Sequence, residues 1–186
     1  MAAVLHGNVQ TMQAQLDLIA QQIDRSMKQP LNNGRHIRDL AVEIVQGCPE
    51  HGILSEHCQI SRVFHWVKAN VAYRHDPVDY DLFMSAKRTI ESRGADCDDH
   101  CVLTCSLLSS IGFRTGAKVV SPDGSAWHIY AVAVTRSHLP PHSPITVALD
   151  TTQSESYPGW EPAMVHRKHE YVAVFQDGRA QYKRVR

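Results

Sequence analysis

The chain reads as an α+β domain in which helices come first, a cysteine-headed helix follows, and an antiparallel sheet closes the sequence. Three observations predict this. Apolar residues recur at helical spacing through the first third of the chain. The turn Arg93-Gly94-Ala95-Asp96 runs into Cys97 and then into an apolar stretch ending at Ile111-Gly112. From Arg114 onward, Val-, Ile- and Tyr-rich segments alternate with Pro- and Gly-containing turns, the pattern of a sheet made after its helices.

Each element has its own signal. Leu5, Val9, Met12, Leu16, Ile19 and Ile23 are spaced by four, three, four, three and four, a helical stripe. A helix packed on its own domain is the simpler reading. A partner or dimer helix is the sharper one, and about three heptads are short for an independent coiled coil. Pro30-Leu31-Asn32-Asn33-Gly34 breaks the helix. A second helix carries Ile37, Leu40, Ala41, Ile44 and Val45 on one face and stops at Gly47. A third begins near Ser55, with Ile60, Val63, Phe64 and Val67 inward. Arg74 to Met84 is polar and irregular, which predicts a loop wrapping toward Cys97. The central helix spans 97–111, with Gly112 as its C′ residue.

Strands follow at Arg114 to Val120, around His128, at Ile145 to Asp150 and at Tyr171 to Phe175. The turn at Ser121 to Ser125 and the Pro-rich loop at Ser137 to Pro144 separate the first three. Asp177-Gly178 is a hairpin signal, with Ala180 to Val185 as the return strand. At 186 residues, one domain over 1–186 is expected. Its parts are an N-terminal helix (1–30), a helical part (33–72), and the catalytic helix plus sheet (94–186).

Composition narrows the function. Hydrophobic content of 43% and charged content of 20% are ordinary for a globular protein. A formal net charge of +0, with no basic run, predicts no nucleic-acid partner. No stretch approaches the roughly 20 apolar residues of a membrane helix. His6, Gly7 and Asn8 interrupt the apolar start, so no signal peptide is read. Five cysteines, an odd count, are expected to be reduced thiols in a cytosol-like compartment.

Cys97 is the candidate nucleophile. It opens a helix, where unpaired N–H groups and the helix dipole favour a thiolate. Asp96 is a good N-cap. The carboxylates of Asp96, Asp98 and Asp99 oppose a thiolate, and the dipole supplies at most about 2 kcal/mol. A cationic His128 beside the sulfur is therefore expected, as a resting Cys⁻/His⁺ pair. His128, Tyr130, Val132 and Val134 share one strand face, expected to look toward the central helix. His100, three residues after Cys97, competes as a base. Its place in the first helical turn disfavours its cationic form. Asp150 ends its strand, where it can fix the His128 tautomer. Cys101 and Cys105 are most simply buried small hydrophobes.

This order, Cys97 on a helix, then His128 and Asp150 on successive strands, resembles the transglutaminase-like cysteine enzymes. Phe64 to Tyr73 and Asp76-Pro77 look like the helix and linker before the family's cysteine. Leu149-Asp150-Thr151-Thr152 and Pro158-Gly159-Trp160-Glu161-Pro162 resemble the branch found in tailed phages and prophages.

The resemblance implies a papain-like fold in the transglutaminase sense. It implies thiol chemistry on an amide or peptide bond, hydrolytic rather than cross-linking, through Cys97, His128 and Asp150. It also implies a protein or peptide substrate, with phage structural proteins as partners, in a bacterial cytoplasm or a virion. The rival readings are a virion interaction module without catalysis and a cross-linking acyltransferase. The Cys97 N–H is the natural first oxyanion donor. Tyr73, Tyr80 and Asn70 stay open as the second.

No cofactor and no metal are expected. Cys48, His51, His57 and Cys58 have zinc-ligand chemistry, but their spacing departs from the common paired patterns. Cys97, Cys101, Cys105 and His100 form a weaker metal candidate. No acidic cluster suggests the calcium of animal transglutaminases.

Overall fold

Four alanines, with Val119, Ile129 and Leu149, make up the core face of the central sheet, so small side chains supply much of the surface that the helix opened by Cys97 packs on. A computed structural model describes residues 3–6, 12–76, 80–124, 127–136, 141, 143–163 and 166–185. In chain order the elements are β1 (Ala3–His6), α1 (Met12–Lys28), α2 (Ile37–Val45), α3 (Ile53–Asn70), β2 (Ala72–Tyr73) and β3 (Tyr80–Phe83). Then come α4 (Ala86–Ser92), β4 (Gly94–Ala95), α5 (Cys97–Ser110), β5 (Arg114–Ser121), β6 (His128–Arg136), β7 (Pro144–Leu149), β8 (His169–Gln176) and β9 (Arg179–Arg184).

The main sheet is antiparallel, in the order β7-β6-β5-β8-β9. α5 lies on it, with Val102, Leu103, Cys105 and Leu107 buried against Ala117, Ala131, Ala133 and Ala173. Gly116 allows a close approach between β5 and β8. A Cβ there would meet the Ala173 carbonyl oxygen at 2.0 Å. The Cys105 thiol donates to the Gly116 carbonyl at 3.3 Å, so this cysteine is a packing residue. Gly112, at φ +100°, ends α5 as expected, and Asp177 and Gly178 turn the β8–β9 hairpin in the left-handed region.

The helices cover α5 from the other side. Leu16, Ile19, Ala20 and Ile23 of α1 are buried against α5 and β9. The N-terminal stripe is therefore an intramolecular face. Phe64, Val63 and Val67 of α3 and Ile37 and Ala41 of α2 complete the core. Among the described residues no helix is long and apolar enough to cross a membrane.

The structure corrects four expectations. Ala3–His6 is a strand rather than part of the first helix, pairing antiparallel with Tyr80–Phe83. The same pairing turns part of the expected 74–84 loop into β3, and a short helix, α4, follows it. The α5-facing residues of β6 are Ile129, Ala131 and Ala133, while Tyr130 packs with Val120 and Ala148 in a second cluster. The His128 face therefore looks away from α5. Finally, Cys48 and Cys58 form a disulfide, with Cα atoms 5.8 Å apart, closing the turn between α2 and α3. The expectation of five reduced thiols fails at these two positions, and with it the argument for a cytosol-like compartment. The bridge also removes the two thiolates that a zinc site with His51 and His57 would need. Most of the Pro-rich loop at 137–144, and Val9 of the N-terminal stripe, lie outside the described residues.

Candidate active site

The segment leading into Cys97 is fixed by a short parallel ladder. β2 pairs with β4 in the register Ala72 to Gly94 and Tyr73 to Ala95. The Ala72 N–H donates to the Arg93 carbonyl at 3.0 Å, and the Arg74 N–H to the Ala95 carbonyl at 2.8 Å. Asp96 then caps α5, its side chain accepting from the Asp99 N–H at 3.4 Å. Asp99 is fully buried and accepts from the Met84 N–H at 2.6 Å, tying the start of α5 to the segment before α4. Cys97 is thus the first helical residue, half-buried, while Cys101 and Cys105 are buried.

His128 opens β6, one residue from the backbone that touches the sulfur. Its Nε2 lies 2.7 Å from Oδ2 of Asp150. A carboxylate only accepts, so Nε2 carries the proton and Nδ1 is left as the basic nitrogen. Asp150 is fully buried, at the end of β7. Its Oδ1 accepts from the Thr152 N–H at 3.1 Å and from the Thr152 hydroxyl at 2.6 Å. Burial alone would raise this carboxyl. The hydrogen bonds from His128 and Thr152 outweigh burial and hold it below the ordinary carboxylate range. The loop after Asp150 is pinned in turn. Ser156 donates to the Asp150 carbonyl at 2.5 Å, and Lys68 donates to the Ser154 and Ser156 carbonyls at 2.9 and 2.8 Å.

The structure thus brings His128 and Asp150 together. Cys97 reaches the same strand through the backbone of Ile129, whose N–H donates to the sulfur. Among the described residues no hydrogen bond joins the Cys97 thiol to the His128 ring. The Cys97 thiol is pushed well up by burial, then by the carboxylates of Asp98 and Asp96, with the Ile129 N–H opposing them. These surroundings favour a neutral resting thiol over the ion pair expected from sequence.

His100 is not a competing base. It is buried, its Nδ1 lies 2.8 Å from the Thr151 hydroxyl, and burial pushes its pKa down to about 4. It ties α5 to the residue after Asp150. Of the oxyanion candidates, Asn70 turns back to donate to the Trp66 carbonyl at 2.8 Å. The Tyr80 side chain lies outside the described residues. Tyr73 stands near the site. Burial and the negative charges of Asp96, Asp150 and Asp98 raise its phenol to about 12, so it stays a hydrogen-bond donor.

Sequence reasoning missed Thr151, Thr152 and Trp127. The Asp-x-Thr pattern at 150–152 was the available signal for Thr152, because such side chains close turns onto a carboxylate.

Two cavities meet at this site. One, of about 250 Å³, is lined by Cys97, Asp96, Asp98, Phe83 and Ile129 together with residues of α1. The other, of about 500 Å³, is lined by His128, Val120, Trp160 and Pro162. Trp127 belongs to both walls. Asp96, Cys97 and Asp98 place one donor atom each within 4.8 Å of one another, and their two carboxylates could ligate a hard cation.

No known family profile matches this chain, and no curated protein matches it. Solved structures do. Calcium-bound LapG of Legionella pneumophila has a TM-score of 0.49 at 14% identity, covering 81% of this chain and 82% of that one. EGTA-treated LapG gives 0.47 at 14% identity, over 86% and 82%. A candidate cysteine protease from Cytophaga hutchinsonii gives 0.45 at 13% identity, over 96% of this chain and 58% of its own. The likeness is one of chain trace at low identity.

Proposed function

We propose that the protein is a transglutaminase-like cysteine hydrolase acting on peptide or amide bonds, with Cys97 as nucleophile, His128 as proton shuttle and Asp150 as its orienting anion. The observation that carries this is the 2.7 Å contact between the fully buried Asp150 carboxylate and His128, whose neighbour Ile129 donates its N–H to the Cys97 sulfur. A surface histidine needs no such support. A histidine that must accept and return a proton does.

Because the surroundings of Cys97 favour a neutral thiol, His128 acts first as a general base. Its Nδ1 takes the thiol proton as the sulfur attacks the carbonyl carbon, and Asp150 stabilises the imidazolium. The Sγ–C bond forms and the scissile C–N bond breaks. The leaving nitrogen takes the proton from His128. Water, activated by the same ring, then attacks the thioester. The S–C bond breaks and the proton returns to sulfur. The Cys97 N–H at the start of α5 and the Tyr73 hydroxyl are the donors proposed for the oxyanion.

The substrate class is protein or peptide. The phage-particle setting rests on the sequence resemblance around Pro158 to Pro162 alone. The Cys48–Cys58 bridge favours an oxidising compartment over a reducing one. Labelling with a peptide-like thiol electrophile, followed by mapping, tests the proposal. Adduct at Cys97, lost in His128→Ala, is expected. Adduct spread over Cys97, Cys101 and Cys105 would sink it.

A further inference from the structure

The two halves of a cleaved bond part company at this site, and the walls they meet differ. The acyl half is bonded to the Cys97 sulfur until water arrives. The amine half leaves with a proton from His128. Whatever lies beside Cys97 therefore reads the acyl half, and whatever lies beside His128 reads the amine half. Cys97 and His128 line different cavities, with Trp127 as their shared wall.

The cavity at Cys97 is the smaller, about 250 Å³, and Leu16, Ile19, Phe83, Val119 and Ile129 make its apolar walls. The cavity at His128 is twice that, about 500 Å³, within the size range of preformed ligand sites. Val120, Pro122, Trp127, Trp160 and Pro162 line it, with Glu155 and His166 among its polar residues.

This second cavity is held in shape. Glu161, next to Trp160, accepts from Lys118 at 2.5 Å and also pairs with Arg167. The Gly159 N–H donates to the Ala148 carbonyl at 2.8 Å. Trp127, 39% exposed, is steadied by edge contacts with the rings of His169 and Tyr171, at 6.4 and 5.6 Å between centroids. Two indoles and two prolines set around a ready-made space suit a flat, bulky side chain.

We infer that the His128-lined cavity is a specificity site for the amine side of the substrate, taking an aromatic or large aliphatic residue just after the scissile bond, with Trp160 as the determinant. The Cys97-lined cavity takes a small apolar residue before that bond. This rests on the cysteine-hydrolase reading above.

The test uses the full-length protein, its Cys97→Ala variant as control, and a library of proteome-derived peptides with blocked amines. Mass spectrometry reads both sides of each new cut. The expected result is enrichment of about fivefold or more for Phe, Tyr, Trp or Leu after the bond. On a peptide carrying Phe there, Trp160→Ala should lower kcat/KM about tenfold, and Trp160→Phe should restore most of it. A peptide with Ala there should change less than about twofold. Cuts with no preference after the bond, or a preference that Trp160→Ala leaves intact, overturn the inference while the hydrolase reading stands. The wild-type profile decides even if a variant fails to fold. Absence of cutting by the wild type, or equal cutting by Cys97→Ala, overturns the hydrolase reading and this inference with it.

Discussion

His128 Nε2 sits 2.7 Å from an Asp150 carboxylate that solvent does not reach, and the carboxylate's other oxygen is taken by Thr152. Both sides of Asp150 must therefore accept. An amide cannot do that, because one end of it donates. Asp150→Asn keeps the shape and breaks the pattern: either Thr152 or His128 then faces an NH₂ group, and in the second case the ring is forced into the wrong tautomer. Turnover should fall by about 10³-fold or more, the scale seen when such a triad anion is removed. Substrate KM should change little.

The same residue predicts an acid limb. Its folded pKa is held below the unfolded value of about 3.9. Its contribution to stability is thus fully present above that value and is lost as pH falls through the lower, folded one. The melting-temperature gap between wild type and Asp150→Asn should be widest near neutrality and close only in strong acid. A gap that does not vary with pH would show that the charge contributes nothing.

Cys97 should be the first thiol alkylated by limiting iodoacetamide, because Cys101 and Cys105 are buried. Its reaction should accelerate as pH rises above neutral, since burial, Asp98 and Asp96 all raise the thiol. Asp96→Asn retains a good N-cap and removes one of those carboxylates. It should speed labelling at neutral pH with little change in melting temperature. An unchanged labelling rate would show that Asp96 does not govern the thiol.

Much of this site was legible in the chain because its signals are local. Asp96 as cap, Cys97 as first helical residue, Gly112 as C′ and Asp177-Gly178 as hairpin each need only their neighbours. What failed was non-local. Ala3–His6 becomes a strand only because Tyr80–Phe83 lies beside it, and no periodicity within either segment announces that pairing. His128 was placed on the face that packs against α5. It instead reaches the site from the strand's first position, with Ile129 making the contact to α5. The odd cysteine count argued for five free thiols, but one bridge and three thiols are odd as well.

That bridge gives a countable prediction. Thiol titration of the unfolded, unreduced protein should find three free thiols, not five. Reduction, or Cys48→Ser with Cys58→Ser, should cost about 2–3 kcal/mol for a closed loop this short. Chelator should leave the melting temperature where it was, because the paired thiols offer no zinc site. Five free thiols, or a large chelator-induced drop, would revive the metal reading of Cys48, His51, His57 and Cys58.

His100 predicts a second pH dependence, in a window that Asp150 does not reach. It lies on α5, buried against Thr151, and burial pushes its pKa down to about 4, against an ordinary value of about 6.5. The unfolded chain therefore binds a proton at this residue before the folded chain does. By linkage, stability is full above about pH 6.5 and declines as pH falls toward 4. His100→Asn keeps a side chain that can bond Thr151 and removes the titration. At pH 7.5 it should melt below wild type, because an imidazole-sized space is left partly filled. As pH is lowered from 6.5 to 4 the two curves should converge, since only wild type carries this proton-linked loss. Catalysis gives the independent readout. If His100 only positions the Asp150 loop against α5, His100→Asn should lower kcat while leaving the pH at which kcat/KM rises unchanged, because His100 takes no part in the proton transfer. A shifted pH midpoint would instead make His100 part of the proton path.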